Sequence, residues 1–347
     1  MSAGEALQRS RDSGAGRLAT RWLPPLLVLI GVIGIVAVLP SVNSDQGARD
    51  WYRGQIGGSP LYRLNVIFAR LVPFIAGSAI ALALLQRQRL RTIERNDGQT
   101  LKRHGVTEVA THWLNAIGIG LGLITAAWLL KWIDNPVSLR TTFIIHFVGA
   151  GFTLAAVSHH LTYQLVAGGR GLLPRRRDFK GALGEAVAYT GVYRGLRGAF
   201  GIQLPQVMRR PFQRLLRRFD IVPEPEEKYL ATEKVISYPV WALLIAIVVV
   251  TGVIKALRYE YGMPAGPLRF VSFLHDGATI FILVFLFFHV AALVLVPRNW
   301  PLLKSMFTTR ISRRYAEENL PLWTQELDSR PEPSGPSEQS TAGLPQP

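Results

Sequence analysis

Two histidines in one long apolar stretch are the residues of this sequence best suited to chemistry. His275 and His289 lie fourteen residues apart in LHDGATIFILVFLFFH. Fourteen residues of α-helix rise about 21 Å and turn almost a whole number of times, so both imidazoles share one face and lie near opposite sides of a bilayer. Ionisable side chains within a membrane usually mark function. The spacing predicts that each histidine is an axial ligand of a separate heme.

The composition indicates a membrane protein. Of the 347 residues 49% are hydrophobic, and several apolar runs are long enough to cross a bilayer. The net charge of +16 lies in the segments between these runs, where it is typical of membrane topology rather than of nucleic-acid binding. The chain has no cysteine, which excludes disulfides, iron–sulfur clusters, thiolate zinc sites and c-type heme attachment within it.

Six apolar runs position the histidines, and each predicts a membrane-spanning helix. A closed barrel is not expected, because the runs lack the alternation that barrel strands require. The fold class predicted is therefore an all-α integral membrane protein, in which a four-helix heme-binding bundle follows two extra transmembrane helices. The predicted spans are 23–42, 64–86, 108–132, 142–167, 236–257 and 270–296.

The lysines and arginines predict the orientation of these spans. Thirty of the 39 fall in the N-terminus, in the segments 87–103 and 168–235, and in the tail from Arg298. The positive-inside rule places all four segments, and both termini, in the cytoplasm. The first span has two interpretations, an uncleaved anchor or a signal peptide with a small-residue cleavage site near 42–44. Either one leaves the other five spans unchanged.

The chain divides into three predicted regions. Residues 1–104 hold the two extra helices, 105–325 form the cytochrome domain, and the Pro-, Ser- and Gly-rich residues 326–347 form a disordered tail. The cytochrome domain contains the long basic loop 168–235. Within that loop, 207–219 has the pattern of an amphipathic helix on anionic lipid, and a solvated charged face is the open alternative.

The other histidines supply partners for the first two. His146 opens the fourth span, which gives an outer pair with His275, and His112 opens the third span, which gives an inner pair with His289. Two depth-matched pairs predict two bis-histidine b hemes. His160 lies fourteen residues after His146, so spacing alone leaves it as a rival to His112.

Further residues have candidate roles around these pairs. The histidine that does not bind the inner heme is a candidate for contact with a heme propionate or for a quinone pocket, and the candidates for the quinone site are His159 and His160. Asp276 is a candidate acceptor for a hydrogen bond from His275, or an interfacial carboxylate facing water. His104, in a basic segment, is expected to be exposed. Small residues allow either close approach of porphyrin or ordinary helix packing at Gly118, Gly120, Gly122, Gly149, Gly151 and Gly252.

The order and spacing of these motifs resemble a known family. The motifs are HWLNAI from His112, HFVGAGF from His146, KYLATEKVISYPVW before the fifth span, LHD at His275, and SMFTTRISRRYAEENLPLW after the sixth span. Over residues 105–325 the chain resembles the diheme cytochrome b membrane subunit of respiratory formate dehydrogenases, the gamma subunit, and the related hydrogenase cytochrome b subunits. It differs from them in Thr308-Thr309 for Thr-Gly, in Glu318-Asn319 for a histidine pair, and in the length of the basic loop.

The resemblance implies a location, a ligand set and partners. It implies a bacterial inner-membrane protein in which His112 and His289 bind the inner heme, and His146 and His275 the outer one. It also implies a catalytic dehydrogenase subunit and an iron–sulfur subunit as partners, with quinone as the electron acceptor. Two other functions stay open: a free-standing quinone-linked cytochrome b, and a transporter whose histidines relay protons or bind metal.

Overall fold

A computed structural model describes residues 14–44, 60–89, 98–167, 170–193, 198, 203–219, 221 and 224–329. The structure is 81% helical, and five of its described helices are long and apolar enough to cross a membrane. The prediction of an all-α integral membrane protein is therefore confirmed. An unbroken helix satisfies every backbone polar group internally, which is what an apolar segment requires in lipid. The candidate spans are Leu64–Gln86, Val106–Leu129, Leu139–Val166, Glu233–Tyr261 and Ala265–Val294.

The described part of the chain has six long helices, and five of them carry these spans. In chain order the six helices are α1 (Gly14–Ser44), α2 (Pro60–Arg89), α3 (Val106–Leu129), α4 (Leu139–Ala167), α7 (Tyr238–Tyr261, preceded by a π-helical turn at Glu233–Ser237) and α8 (Ala265–Val294). Helix α1 contains the whole predicted first span, and its described apolar part is Trp22–Val38. The count of six membrane crossings, and the fate of the first, stay predictions.

The spans pack as two helix pairs. Helix α3 runs along α4 and α7 runs along α8, whereas contacts between the two pairs are sparse. Helix α2 covers α4 and α7, and α1 packs on α2. Glycines allow the close approach of α3 and α4, because a Cβ added at Gly118 would lie 2.7 Å from the carbonyl oxygen of Gly149, and one at Gly149 would lie 2.8 Å from that of Gly118. At these two positions the glycines serve helix packing.

Segments that follow or precede four spans meet at one end of the bundle, which we call the basic end. Strand β1 (Thr100–Lys102) pairs antiparallel with β2 (Arg310–Ser312). The Thr309 carbonyl accepts hydrogen bonds from the backbone N–H groups of Arg103 and His104, at 2.9 and 3.1 Å. The C-terminal helices α9 (Trp300–Thr308), α10 (Arg313–Asn319) and α11 (Pro321–Asp328) pack here around a small core of Leu101, Leu302, Ile311, Leu320 and Trp323.

The long loop adds two further helices at this end, α5 (Arg176–Ala188) and α6 (Gln206–Arg218). Helix α5 is joined to the start of the fifth span by buried Lys234, whose ammonium lies 3.4 Å from Asp178 and 2.7 Å from Glu227. Helix α11 ends at Asp328, so helical structure extends three residues into the segment 326–347 that the sequence predicts to be disordered. From residue 330 that segment lies outside the described residues.

Candidate functional site

The structure brings His146 and His275 together between the two helix pairs. His146 lies near the start of α4 and His275 near the start of α8, so both are at the end of the bundle opposite the basic end. The centres of their rings are 6.3 Å apart. Residues that are 129 positions apart in sequence therefore face each other in the way that the sequence predicts for the outer pair.

Each of these histidines is held by a buried threonine on the neighbouring helix. The Nδ1 atom of His146 lies 2.9 Å from the hydroxyl oxygen of Thr125 on α3, and that of His275 lies 2.9 Å from Thr251 on α7. Each threonine hydroxyl donates its own proton to the carbonyl oxygen one turn earlier in its helix. The threonine oxygens therefore accept hydrogen bonds from Nδ1–H, and this tautomer leaves the Nε2 lone pair of each histidine free for a metal.

An apolar cleft surrounds the two rings. It is lined by both helix pairs and by Phe68 of α2. A Cβ added at Gly122 would meet no atom within 4 Å, so this glycine faces open space in the cleft, whereas one at Gly252 would lie 3.3 Å from the His275 ring. These two glycines keep backbone and imidazole clear of side-chain bulk, which is what a flat macrocycle between the helix pairs requires.

The separation of the rings also fits one metal ion between them. A metal–imidazole bond of about 2.0 Å on each side, with roughly 1.1 Å from each nitrogen to its ring centre, gives about 6 Å between ring centres. The observed value of 6.3 Å matches this distance. Two neutral imidazoles in an apolar cleft form the donor set that a b-type heme takes. The residues present therefore fit a bis-histidine heme at this site.

His112 and His289 lie at the basic end of the bundle. His112 is in the second turn of α3 and His289 is near the end of α8. Both side chains are exposed. Asn115, one turn after His112, has a buried side-chain oxygen without a hydrogen-bond partner. Because α8 is one unbroken helix, His275 and His289 are the two ends of a single rigid segment.

The structure separates His159 from His160. His159 is buried, and its two ring nitrogens lie 2.7 Å from the Gln86 side chain and 3.4 Å from the Thr111 hydroxyl, so it joins α4 to α2 and α3. His160 instead lies 3.3 Å from the Tyr238 hydroxyl at the start of α7. Of the two histidines that the sequence places in a quinone pocket, His159 is therefore engaged in helix packing through both of its nitrogens.

The structure favours one of the two alternatives for Asp276 and corrects the expectation for His104. The Asp276 carboxylate is half-exposed and lies 3.7 Å from the Lys255 ammonium, as an interfacial carboxylate would, whereas Thr251 occupies the Nδ1 side of the His275 imidazole. His104 is buried rather than exposed, with Nδ1 3.4 Å from Glu108. Burial and the neighbouring Arg103 lower the pKa of His104, which favours its neutral form.

Sequence reasoning missed the role of Thr125. The signal that could have found it is a hydroxyl side chain in an otherwise apolar span, thirteen residues after His112 and so at the opposite end of the same helix. Among the described residues no group of three or more His, Asp or Glu side chains is arranged to hold a bare metal ion. The paired histidines are the arrangement that the structure offers for iron.

The helices and paired histidines define a membrane-embedded cytochrome of the b type. Comparison with known families agrees, because the model of the prokaryotic cytochrome b561 family matches residues 103–309, more than half of the chain. The chain belongs to this family, and it is a multi-pass membrane cytochrome b that binds b-type heme and transfers electrons. No individually curated protein matches it.

Proposed function

We propose that this chain is the membrane anchor of a respiratory dehydrogenase, similar to the gamma subunit of formate dehydrogenase, and that it passes electrons through two b hemes to quinone. The observation that supports this most strongly is the pairing of His146 with His275, on a helix that carries His289 fourteen residues further on. One helix thus presents a ligand at each end, about 21 Å apart along its axis.

The hemes, when bound, supply one-electron carriers at two depths. The chain itself would fix their positions: His146 and His275 hold the outer iron, and His112 and His289 the inner one. Thr125 and Thr251 keep the Nδ1–H tautomer at the outer site and fix the direction of each lone pair. The apolar lining of the cleft excludes water, which favours electron transfer over side reactions.

His112 is the better candidate than His160 for the inner iron. His112 near the start of α3 and His289 near the end of α8 lie at the same end of the bundle, whereas the His160 ring is already in contact with the Tyr238 hydroxyl. We propose that His160, with the Tyr238 hydroxyl, instead borders the quinone pocket at the basic end. A hydroxyl and an imidazole suit the two carbonyl oxygens of a quinone, which need hydrogen-bond donors as they gain electrons.

The orientation and partners complete the proposal. The basic end gathers β1, the long loop and the C-terminal helices, all of which carry the lysine and arginine excess, and we place it in the cytoplasm of a bacterium with both termini. The catalytic and iron–sulfur subunits would then supply electrons from the periplasmic side, near His146 and His275. Quinone reduced at the cytoplasmic side takes up protons there, so the reaction also builds a membrane potential.

The test uses membranes that contain the chain and its native partners. We expect an iron–sulfur subunit to co-purify with the chain, and its donor to reduce both hemes, which added quinone then reoxidises. His112→Ala should remove the inner heme and abolish quinone reduction while the outer heme is still reduced. His160→Ala is the matched control and should keep both hemes while quinone reduction slows.

Three results would contradict the proposal. If His160→Ala, and not His112→Ala, removes the inner heme, the ligand assignment is wrong. If the chain purifies alone and exchanges electrons with quinone without any partner, it is a free-standing oxidoreductase. If the purified protein has no b-type absorbance and instead moves protons or metal ions across vesicles, it is a transporter.

A further inference from the structure

Helix α6, in the long basic loop, has two chemically distinct faces. Its sequence is QVMRRPFQRLLRR, with Phe219 directly after it. At 100° per residue the exposed apolar side chains fall within one sector of about 140°, with Arg218 just inside one edge of it, and the other arginines occupy the remainder. The apolar residues are strongly exposed: Val207 at 85%, Met208, Phe212 and Leu215 at 53% each, and Phe219 at 65%.

The protein holds α6 by a different side. The Gln213 side-chain amide donates a 2.7 Å hydrogen bond to the Val192 carbonyl oxygen, and Leu216 is buried. The backbone of Ile221 turns back to the Leu216 carbonyl, and the Tyr193 hydroxyl donates to the Ile221 carbonyl at 2.8 Å. Gln213 and Leu216 lie outside the apolar sector, so docking of the helix leaves that sector uncovered. Its exposure is therefore a property of the docked helix and not of a detached one.

The charged face of α6 suits an anionic surface. It carries Arg209, Arg210, Arg214, Arg217 and Arg218, and the helix has no Asp or Glu. Within the part of the chain that the structure describes, the contacts of these arginines are to neutral amides, such as the 3.2 Å hydrogen bond from Arg209 to Gln203. Arg214 and Arg218 lie on either side of one edge of the apolar sector, where a long side chain reaches from a buried apolar face to lipid phosphates.

The loop that contains α6 is tethered at both ends to candidate membrane spans. It joins Leu139–Val166 to Glu233–Tyr261. Tethering at both ends holds the helix at a high effective concentration next to the lipid surface. A soluble protein partner would have to compete with the nearby lipid surface for the five apolar residues of this sector.

We propose that α6 lies in the interface of an anionic bilayer, with Val207, Met208, Phe212, Leu215 and Phe219 among the acyl chains and its arginines on lipid phosphates. This is the geometry of an interfacial amphipathic helix, for which apolar burial and attraction to anionic headgroups act together. The helix would fix the long loop to the membrane surface on the side where the basic end lies. The inference does not depend on the identity of the electron donor.

The absence of cysteine from the chain makes a direct test simple. Phe212→Cys in the full chain, labelled with an environment-sensitive fluorophore, reports on the apolar face, and Arg217→Cys is the matched control on the opposite face. Each protein is placed in lipid nanodiscs with or without an anionic phospholipid. In anionic discs we expect the label at residue 212 to shift to the blue and to be quenched by lipids that carry a nitroxide on the acyl chain. The label at 217 should stay water-like.

Salt and a second site sharpen the test. Raising the ionic strength should weaken the signal at residue 212, because exposed charges are screened. The label at Val207→Cys should give the same result as the label at Phe212→Cys, which shows that the signal does not depend on removing the Phe212 side chain. An unchanged heme spectrum shows that each variant is folded.

Three outcomes would overturn the proposal. The first is a water-like label at both apolar positions in anionic discs. The second is equal insertion in neutral and anionic discs, which removes the role of the arginines. The third is protection that arises only when other subunits are bound, which makes the apolar sector a protein-docking site.

Discussion

Replacing the threonines that hold the outer histidines tests the site at the level of single hydrogen bonds. Thr125→Val keeps the shape of the side chain and removes the oxygen that accepts from His146 Nδ1–H, and Thr251→Val does the same for His275. Thr125 is fully buried, so no water replaces the lost acceptor. The neighbouring Thr279 lines the same cleft, but its hydroxyl bonds to the His275 backbone carbonyl, so Thr279→Val is the matched control.

The expected loss follows from the burial of the donor. An unsatisfied buried polar group costs about 1–3 kcal/mol, and substitutions of this kind around metal ligands lower affinity by roughly 10- to 100-fold. We expect about tenfold faster loss of the outer heme for Thr125→Val or Thr251→Val, and less than additive effects for the pair, because both act on one iron. Without this hydrogen bond the imidazole donates less electron density to the iron, which favours the ferrous state, so the midpoint potential of the outer heme should rise. If the preference for ferric over ferrous heme falls two- to tenfold, the rise is about 20–60 mV.

Heme transfer to an acceptor protein measures the loss rate, and a redox titration followed by absorbance measures the potential. Thr279→Val should leave both near their wild-type values. The reasoning is refuted if Thr125→Val and Thr279→Val behave alike, or if the inner heme rather than the outer one changes its potential. If both threonine variants lose all of their heme while Thr279→Val keeps its heme, the two threonines are still needed for heme binding. That result would also show that the two heme sites are coupled.

Three more predictions concern the surrounding structure. Thr309 is left-handed at φ 63°, which costs a β-branched residue about 1–2 kcal/mol, so Thr309→Gly should raise the melting temperature of the detergent-solubilised protein. Burial, then Glu185, raises the pKa of Glu226 to about 8, so the neutral acid is the form that the fold favours. The stability that this neutral acid contributes is complete below the ordinary glutamate pKa and is lost as the pH rises through 8. The melting temperature should therefore fall between pH 6 and pH 9, and Glu226→Gln should make that fall smaller. Gly118→Val should destabilise the α3–α4 contact, because a Cβ there lies 2.5 Å from the Thr153 hydroxyl oxygen, whereas Gly120→Val, with open space around it, should leave the melting temperature unchanged.

The positions of the spans could be predicted because a membrane imposes a minimum length of apolar helix. The predicted span 64–86 coincides with Leu64–Gln86, and the other four described spans differ from the structure by a few residues at their ends. The pairing of His146 with His275 could be predicted for the same reason, since depth in the bilayer follows directly from distance along a rigid helix. These features depend on local pattern and on the bilayer, and not on tertiary detail.

The features that the sequence did not predict all depend on contacts between distant segments. Burial of His104 needs the carbonyl of Thr309, 205 residues away, which draws the segment against the C-terminal helices. The choice of Thr251 over Asp276 as partner of His275 depends on how α7 is rotated against α8. The departure Thr308-Thr309 was visible in the sequence, but its left-handed backbone was not.

Heme quantitation on the purified chain tests the central claim most directly. A pyridine hemochrome assay set against protein concentration should give two b hemes per chain, and a redox titration should resolve two one-electron steps. His275→Ala should lower the count to one and remove the outer step, because α8 still presents His289 to the inner site. One heme in the fully loaded wild-type protein, or two hemes in His275→Ala, would contradict the account.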